Sequence, residues 1–176
     1  MGHSQAFVQK EFIDASQIHI SDAYYSATFD NIYAELLQEH LQLVEGSICF
    51  LRELKAKGYL TALVTSSKKW MLEIIFAGTK LNEYFDVIVT GEDVKNEKPA
   101  PDPYLYAMYA LHVPASSCVV FEDSEAGIIA AARSGAQVIA IRHRYNCKQD
   151  LKSARQILDS FTPVEEILNI VEVCLL

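Results

Sequence analysis

The sequence predicts an α/β fold organised as a doubly wound parallel sheet. Three observations predict it. From Ser47 onward, short apolar runs alternate with helical stretches, the pattern of a parallel sheet covered on both faces through right-handed crossovers. The runs are continuously apolar, as strands buried on both faces are. One of them, Cys118-Val119-Val120-Phe121, ends in the adjacent carboxylates Glu122 and Asp123 and leads into a helical stretch over residues 126–133 closed by Gly135. Two carboxylates thereby stand at the carboxyl end of a central strand, where open α/β sheets bind their ligands.

The elements follow in order. Residues 1–20 are mixed in pattern, with Phe7, Val8, Phe12 and Ile13 on one helical face. Ser21-Asp22 caps a helix running to about residue 43, whose apolar positions, among them Tyr25, Phe29, Ile32, Tyr33 and Leu36, recur at helical spacing. Glu45-Gly46 breaks that pattern, and Ser47 opens a second helix that Gly58 ends. Strands are expected over 59–65, 86–90, 118–121 and 137–141. Between them lie helices over 70–76 and 103–111, the latter with Pro103 in its first turn, and a terminal helix covers 164–175.

Composition bounds the function. The chain has 176 residues, 51% hydrophobic and 22% charged, with a net charge of −8 and a pI near 5.1. That is a globular balance, and its acidity argues against nonspecific nucleic-acid binding, which needs a basic patch. No apolar run reaches the length of a membrane span, and the first ten residues lack the basic-then-apolar signature of a secretory leader. Four cysteines, Cys49, Cys118, Cys147 and Cys174, form no Cys-x-x-Cys pair. They read as reduced thiols in a cytoplasmic protein, with Cys49 and Cys118 buried in apolar runs.

Three stretches converge on one crevice. The strand over 59–65 ends in Thr65-Ser66-Ser67, hydroxyls and amides that form an anion cradle ahead of a helix, or simply a serine N-cap. Lys98 sits in a loop stiffened by Pro99 and Pro101. Glu122 and Asp123 form an acidic pair suited to a hard cation, or, with Ser124, a helix N-cap. Each lies at or beyond the carboxyl end of a strand. A hydroxyl with a lysine grips phosphate, and paired carboxylates hold Mg²⁺. His143, between Arg142 and Arg144 after the last strand, offers a contact to an anionic substrate but reads first as part of a solvated basic loop, and the other histidines lack metal-ligand spacing.

Val-Thr-Ser-Ser, Lys-Pro-Ala-Pro-Asp and Phe-Glu-Asp-Ser-Glu-Ala-Gly-Ile-Ile-Ala-Ala-Ala-Arg-Ser-Gly-Ala, in that order, resemble motifs two, three and four of the haloacid dehalogenase-like hydrolases, most closely the β-phosphoglucomutase-like phosphatases. The resemblance implies a Rossmann-like core over 45–176 preceded by the remnant of a helical cap over 1–44. It implies a Mg²⁺-dependent phosphatase or phosphomutase acting on a small phosphorylated metabolite. Thr65, with Ser66, would bind the phosphoryl group, Lys98 would neutralise it and reach the nucleophile, and Glu122 and Asp123 would bind Mg²⁺.

The family's first motif, an apolar strand ending in Asp-x-Asp, has no counterpart: no Asp-x-Asp occurs anywhere in the chain. The nearest decoy, Asp14 in Phe-Ile-Asp-Ala-Ser, lacks the second carboxylate and a preceding strand. The chain therefore reads as beginning inside the cap. The expected consequences are weak Mg²⁺ binding and no catalysis, the alternative being a non-catalytic protein that binds phosphate, metal or a partner. At the place of the missing central strand, direct pairing of 60–64 with 119–121 is expected, with residues 7–13 as a surrogate strand in second place. An unclosed gap would leave an edge for self-association.

Overall fold

The computed structural model describes residues 5–16 and 20–175. Among them the helices are α1 (Gln5–Ser16), α2 (Asp22–His40), α3 (Ser47–Ala56), α4 (Lys69–Thr79), α5 (Asp102–Leu111), α6 (Glu125–Ser134) and α7 (Val164–Leu175). The strands are β1 (Ala62–Val64), β2 (Val87–Val89), β3 (Val119–Glu122), β4 (Gln137–Ile141) and β5 (Gln156–Leu158). All pairings are parallel, as the alternation predicts, but they form two sheets, β1-β2 and β3-β4-β5.

Each strand residue's side is set by the pleat. Val120 packs with Val138 and Ala140 against Tyr104, Met108 and Ile128 of α5 and α6. Val119 and Phe121 pack on the opposite face against Phe50 of α3 and Ile167 of α7. The result is the doubly wound layering, with a core on each face. Phe50 anchors the second core, its ring 5.1 Å from that of Phe121 and 5.3 Å from that of Phe161. Gly46 lets α3 start there: its φ is +78°, and a Cβ would lie 2.6 Å from Phe161 O.

The expected closure between the first and third strand segments does not occur among the described residues. In a parallel ladder the N–H and C=O of one residue point to one side, and those of the next to the other. Thr65 N–H bonds Val89 O at 2.9 Å, and Cys118 O accepts from Gln137 N–H at 3.0 Å. Ala62 and Val64 on β1, and Val119 and Phe121 on β3, therefore turn their backbone groups to the two unpaired edges. The surrogate strand is likewise absent, because residues 7–13 lie within helix α1. What spans the two edges instead is Lys98, bonded to Val64 O and to Glu122 at their carboxyl ends, with α5 packed against both strands of the first sheet and against α6.

α1 and α2 form a hairpin outside these layers. Gln9 of α1 donates to Asp22 at 2.9 Å and accepts from Ser26, and Phe12 meets Tyr25. Phe12 and Ile13 thus share a helix as expected, while the side chains of Phe7 and Val8 lie outside the described ones. α2 rests on α4 through Tyr33 against Trp70 and through an ion pair between Asp30 and Lys68.

Other differences are local. β1 is shorter than expected, because Leu60 is exposed and Thr61 N–H is taken by the Asp86 carboxylate. β5, an exposed edge strand in a polar stretch, has no sequence signal. Cys49 is exposed and Cys118 only half-buried, so neither is the buried thiol expected, while Cys174 is buried in α7. α3 presents Phe50 and Leu54 inward, which leaves Cys49 on its outer side.

Candidate functional site

Thr65, Lys98 and Glu122 come together at the carboxyl ends of β1 and β3. Lys98 is buried, 8% exposed, and its Nζ donates to Val64 O at 3.1 Å and to Glu122 Oε1. One ammonium thus caps an edge carbonyl of the first sheet and neutralises the carboxylate that ends β3. Pro99 and Pro101 enter α5 directly after it, so the loop has little freedom to withdraw.

Glu122 is buried and fully engaged. Oε1 accepts from Lys98 and from Tyr104 Oη; Oε2 accepts from Asp123 N at 3.0 Å, Ser124 N at 3.1 Å and Ser124 Oγ at 3.0 Å. Burial pushes its carboxyl pKa up, but the adjacent Lys98 and the other donors outweigh burial and hold it below the ordinary value. Burial, and then the Glu122 charge, push the Tyr104 phenol well above its ordinary range, so it stays a proton donor.

The carboxylate lies over the first turn of α6. Ser124 is the N-cap, its Oγ accepting from Gly127 N–H at 3.1 Å, so the capping alternative holds for Ser124. Gly127 is required by space: a Cβ there would fall inside the Glu122 carboxylate.

Asp123 points elsewhere. Its Oδ2 lies 3.0 Å from His143 Nε2. Tyr145 N–H donates to His143 Nδ1 at 3.1 Å, which assigns the lone pair to Nδ1 and the proton of the neutral ring to Nε2, aimed at Asp123. Asn146, fully buried, fixes the loop: its Nδ2 donates to Asp123 O at 2.7 Å and Ile141 O at 2.8 Å, and its Oδ1 accepts from His143 N–H at 2.8 Å. The His143 ring is therefore held against Asp123, while Arg142, Arg144 and Tyr145 around it are exposed, as in the solvated basic loop expected. Its neighbour Arg142 leaves the crevice to pair with Asp159.

Thr65 and Ser66 lie in the turn after β1. Thr65 Oγ1 accepts from Ser67 N–H at 3.0 Å, while Lys68, with no side-chain cap bond, is the N-cap of α4. The serine N-cap alternative therefore does not form. Asp14 is an exposed residue of α1, not of a strand end.

The donor set fits a divalent cation poorly. Every lone-pair direction of Glu122 is already used, and Asp123 has one oxygen on His143. No group of three or more His, Cys, Asp or Glu suited to a metal occurs among the described residues. Sequence reasoning did not find Tyr104 and Asn146. Tyr104 carried a weak signal, one turn into the helix that follows Lys98; Asn146, in a polar loop, carried none. No helix among the described residues is long and apolar enough to cross a membrane.

Known proteins are similar to this chain in sequence and fold. A phosphorylated-carbohydrate phosphatase of Thermotoga maritima is 34% identical over 142 residues, 80% of this chain and 63% of that protein. The structure of CbbY from Rhodobacter sphaeroides in complex with phosphate superposes with a TM-score of 0.74 at 28% identity, covering 84% of this chain and 67% of that one. The β-phosphoglucomutase of Clostridium difficile shares the fold, with a TM-score of 0.82 at 22% identity over 98% of this chain and 78% of that one. The chain spans 56% of one curated relative and 63% of another. The family's phosphatases generally use Mg²⁺. The family model of the haloacid dehalogenase-like hydrolases matches residues 2–141, most of the chain. With its Rossmann-like layering and these relatives, the chain belongs to the haloacid dehalogenase-like hydrolases, on their β-phosphoglucomutase-like branch.

Proposed function

We propose that this chain carries the phosphate-holding part of a phosphatase site for small phosphorylated metabolites, and that it turns over no ester by itself. The observation that carries this reading is Lys98, buried between Val64 O and Glu122 one residue from Thr65. Two of its three N–H groups are engaged there, and the third is available to a phosphoryl oxygen. Thr65 Oγ1 accepts from Ser67 N–H, so its own proton is the one to donate, beside the amide and hydroxyl of Ser66. Phosphorylated sugars are the first class to assay, since the T. maritima relative is named for phosphorylated carbohydrates and an Escherichia coli relative for fructose 1-phosphate.

In this family, as its Asp-x-Asp motif implies, phosphoryl transfer runs through a carboxylate nucleophile. Glu122 is saturated, Asp123 is bonded by His143, and Asp14 lies on helix α1 and not at a strand end, so none takes that role. Weak Mg²⁺ binding follows from the same engaged donors. In this reading residues 1–44 are the remnant of a substrate-selecting cap and residues 45–176 the core. The test is hydrolysis of an aryl phosphate and of hexose phosphates with Mg²⁺. No turnover above that of Lys98→Ala is expected; turnover that vanishes in Lys98→Ala overturns the reading.

The unpaired edges of β1 and β3 favour a second role, association through the open sheet, with another copy as the first partner to test. Light scattering over a concentration series is expected to show a mass rising above 19.7 kDa. A mass that stays at the monomer value removes this reading.

A further inference from the structure

We propose that His143, its backbone held by Asn146, occupies one oxygen of the Asp123 carboxylate in place of a divalent cation, so that the imidazole is the resident partner of this carboxylate. The inference does not rest on the hydrolase reading and is tested by binding alone. A cation approaching the strand end meets two carboxylates. Glu122 is closed to it by five donors: Lys98, Tyr104, two backbone amides and the Ser124 hydroxyl. That leaves Asp123, whose Oδ2 faces the Nε2 proton of His143 at 3.0 Å.

This contact is built rather than incidental. The ring is fixed at both nitrogens, by Tyr145 N–H on one side and Asp123 on the other. The backbone on each side is fixed by one side chain, since Asn146 bonds His143 N–H, Asp123 O and Ile141 O. Asn146 is fully buried, and its bond to Ile141 O is shielded from water. A cation binding at Asp123 Oδ2 must break the imidazole bond, and a bond to a charged group is among the stronger ones to lose.

The experiment is calorimetric titration with MgCl₂ alone of the wild type, His143→Ala, and His143→Ala combined with Asp123→Asn. His143→Ala is expected to bind Mg²⁺ about tenfold or more tightly than the wild type, a gain abolished in the double variant. His143→Gln, which keeps an N–H donor near Asp123, is expected to stay within threefold of the wild type. In the wild type, MgCl₂ should shift the His143 ring resonances only at concentrations where heat of binding is seen. A gain below tenfold, a gain that survives in the double variant, or absence of binding in every variant overturns the proposal. Loss of phosphatase activity, or its presence, bears on the hydrolase reading and leaves this result unaffected.

Discussion

At the scale of single residues, the crevice is an ion pair under tension between burial and neutralisation. Lys98 and Glu122 side chains are each 6% exposed. Removing one charge strands the other, so Lys98→Met is expected to lower the urea midpoint, and Lys98→Met with Glu122→Gln to recover part of it. Gly127→Ala runs against helix propensity: alanine favours the helix by about 1 kcal/mol, yet its Cβ would displace the Glu122 carboxylate. A net destabilisation is expected, and a stabilised Gly127→Ala would show that the carboxylate has room to move. Lys98 and Glu122 were legible because three stretches at strand ends occur in the order of the family's motifs, although each alone has a commonplace alternative. Tyr104 and His143 were not, because a tyrosine in a helix and a histidine between arginines have commonplace alternatives, and only tertiary placement brings each to a carboxylate.

At the scale of elements, local pattern identified the helices and four of the five strands, where apolar runs were bounded by glycine, proline or caps. It missed β5, whose exposed Gln156 and Ile157 leave no apolar run to read. It also overstated β1, whose first residues are claimed by Asp86. Stability is expected to differ as sharply as burial. α2 has no buried residue, whereas α6 buries six, including Ile128 and Ala131. Amide hydrogen exchange should therefore be at least about a hundredfold faster in α2 than in α6. Trp70→Ala, which removes the ring against Tyr33, should speed α2 further and leave α6 unchanged. Equal protection in the two helices would mean that the hairpin is held by more than the contacts described.

At the scale of the molecule, the acid limb of stability has an identifiable contributor. Asp93, hydrogen-bonded first by Lys69 and then by Thr90, has its carboxyl pKa lowered from 3.8 to about 2. A lowered carboxyl pKa stabilises above the unfolded value and ceases to do so as pH falls through the folded one. The difference in urea midpoint between the wild type and Asp93→Asn should thus be constant above about pH 5 and shrink between pH 4 and pH 2. The direct pairing expected between the strand segments could not be judged from the sequence, because whether two edges meet depends on what α5 and Lys98 place between them. That separation has a consequence for cooperativity. Among the described residues no backbone bond joins the two sheets, so these melt together only as strongly as side chains couple them. Lys98 is the coupling at one end and α5 the splint beneath. With the ammonium removed, the β1-β2 half has lost its tie to the end of β3. Scanning calorimetry of Lys98→Met should then resolve the single transition of the parent into two, making one lysine the difference between a protein that unfolds as a unit and one that unfolds in halves.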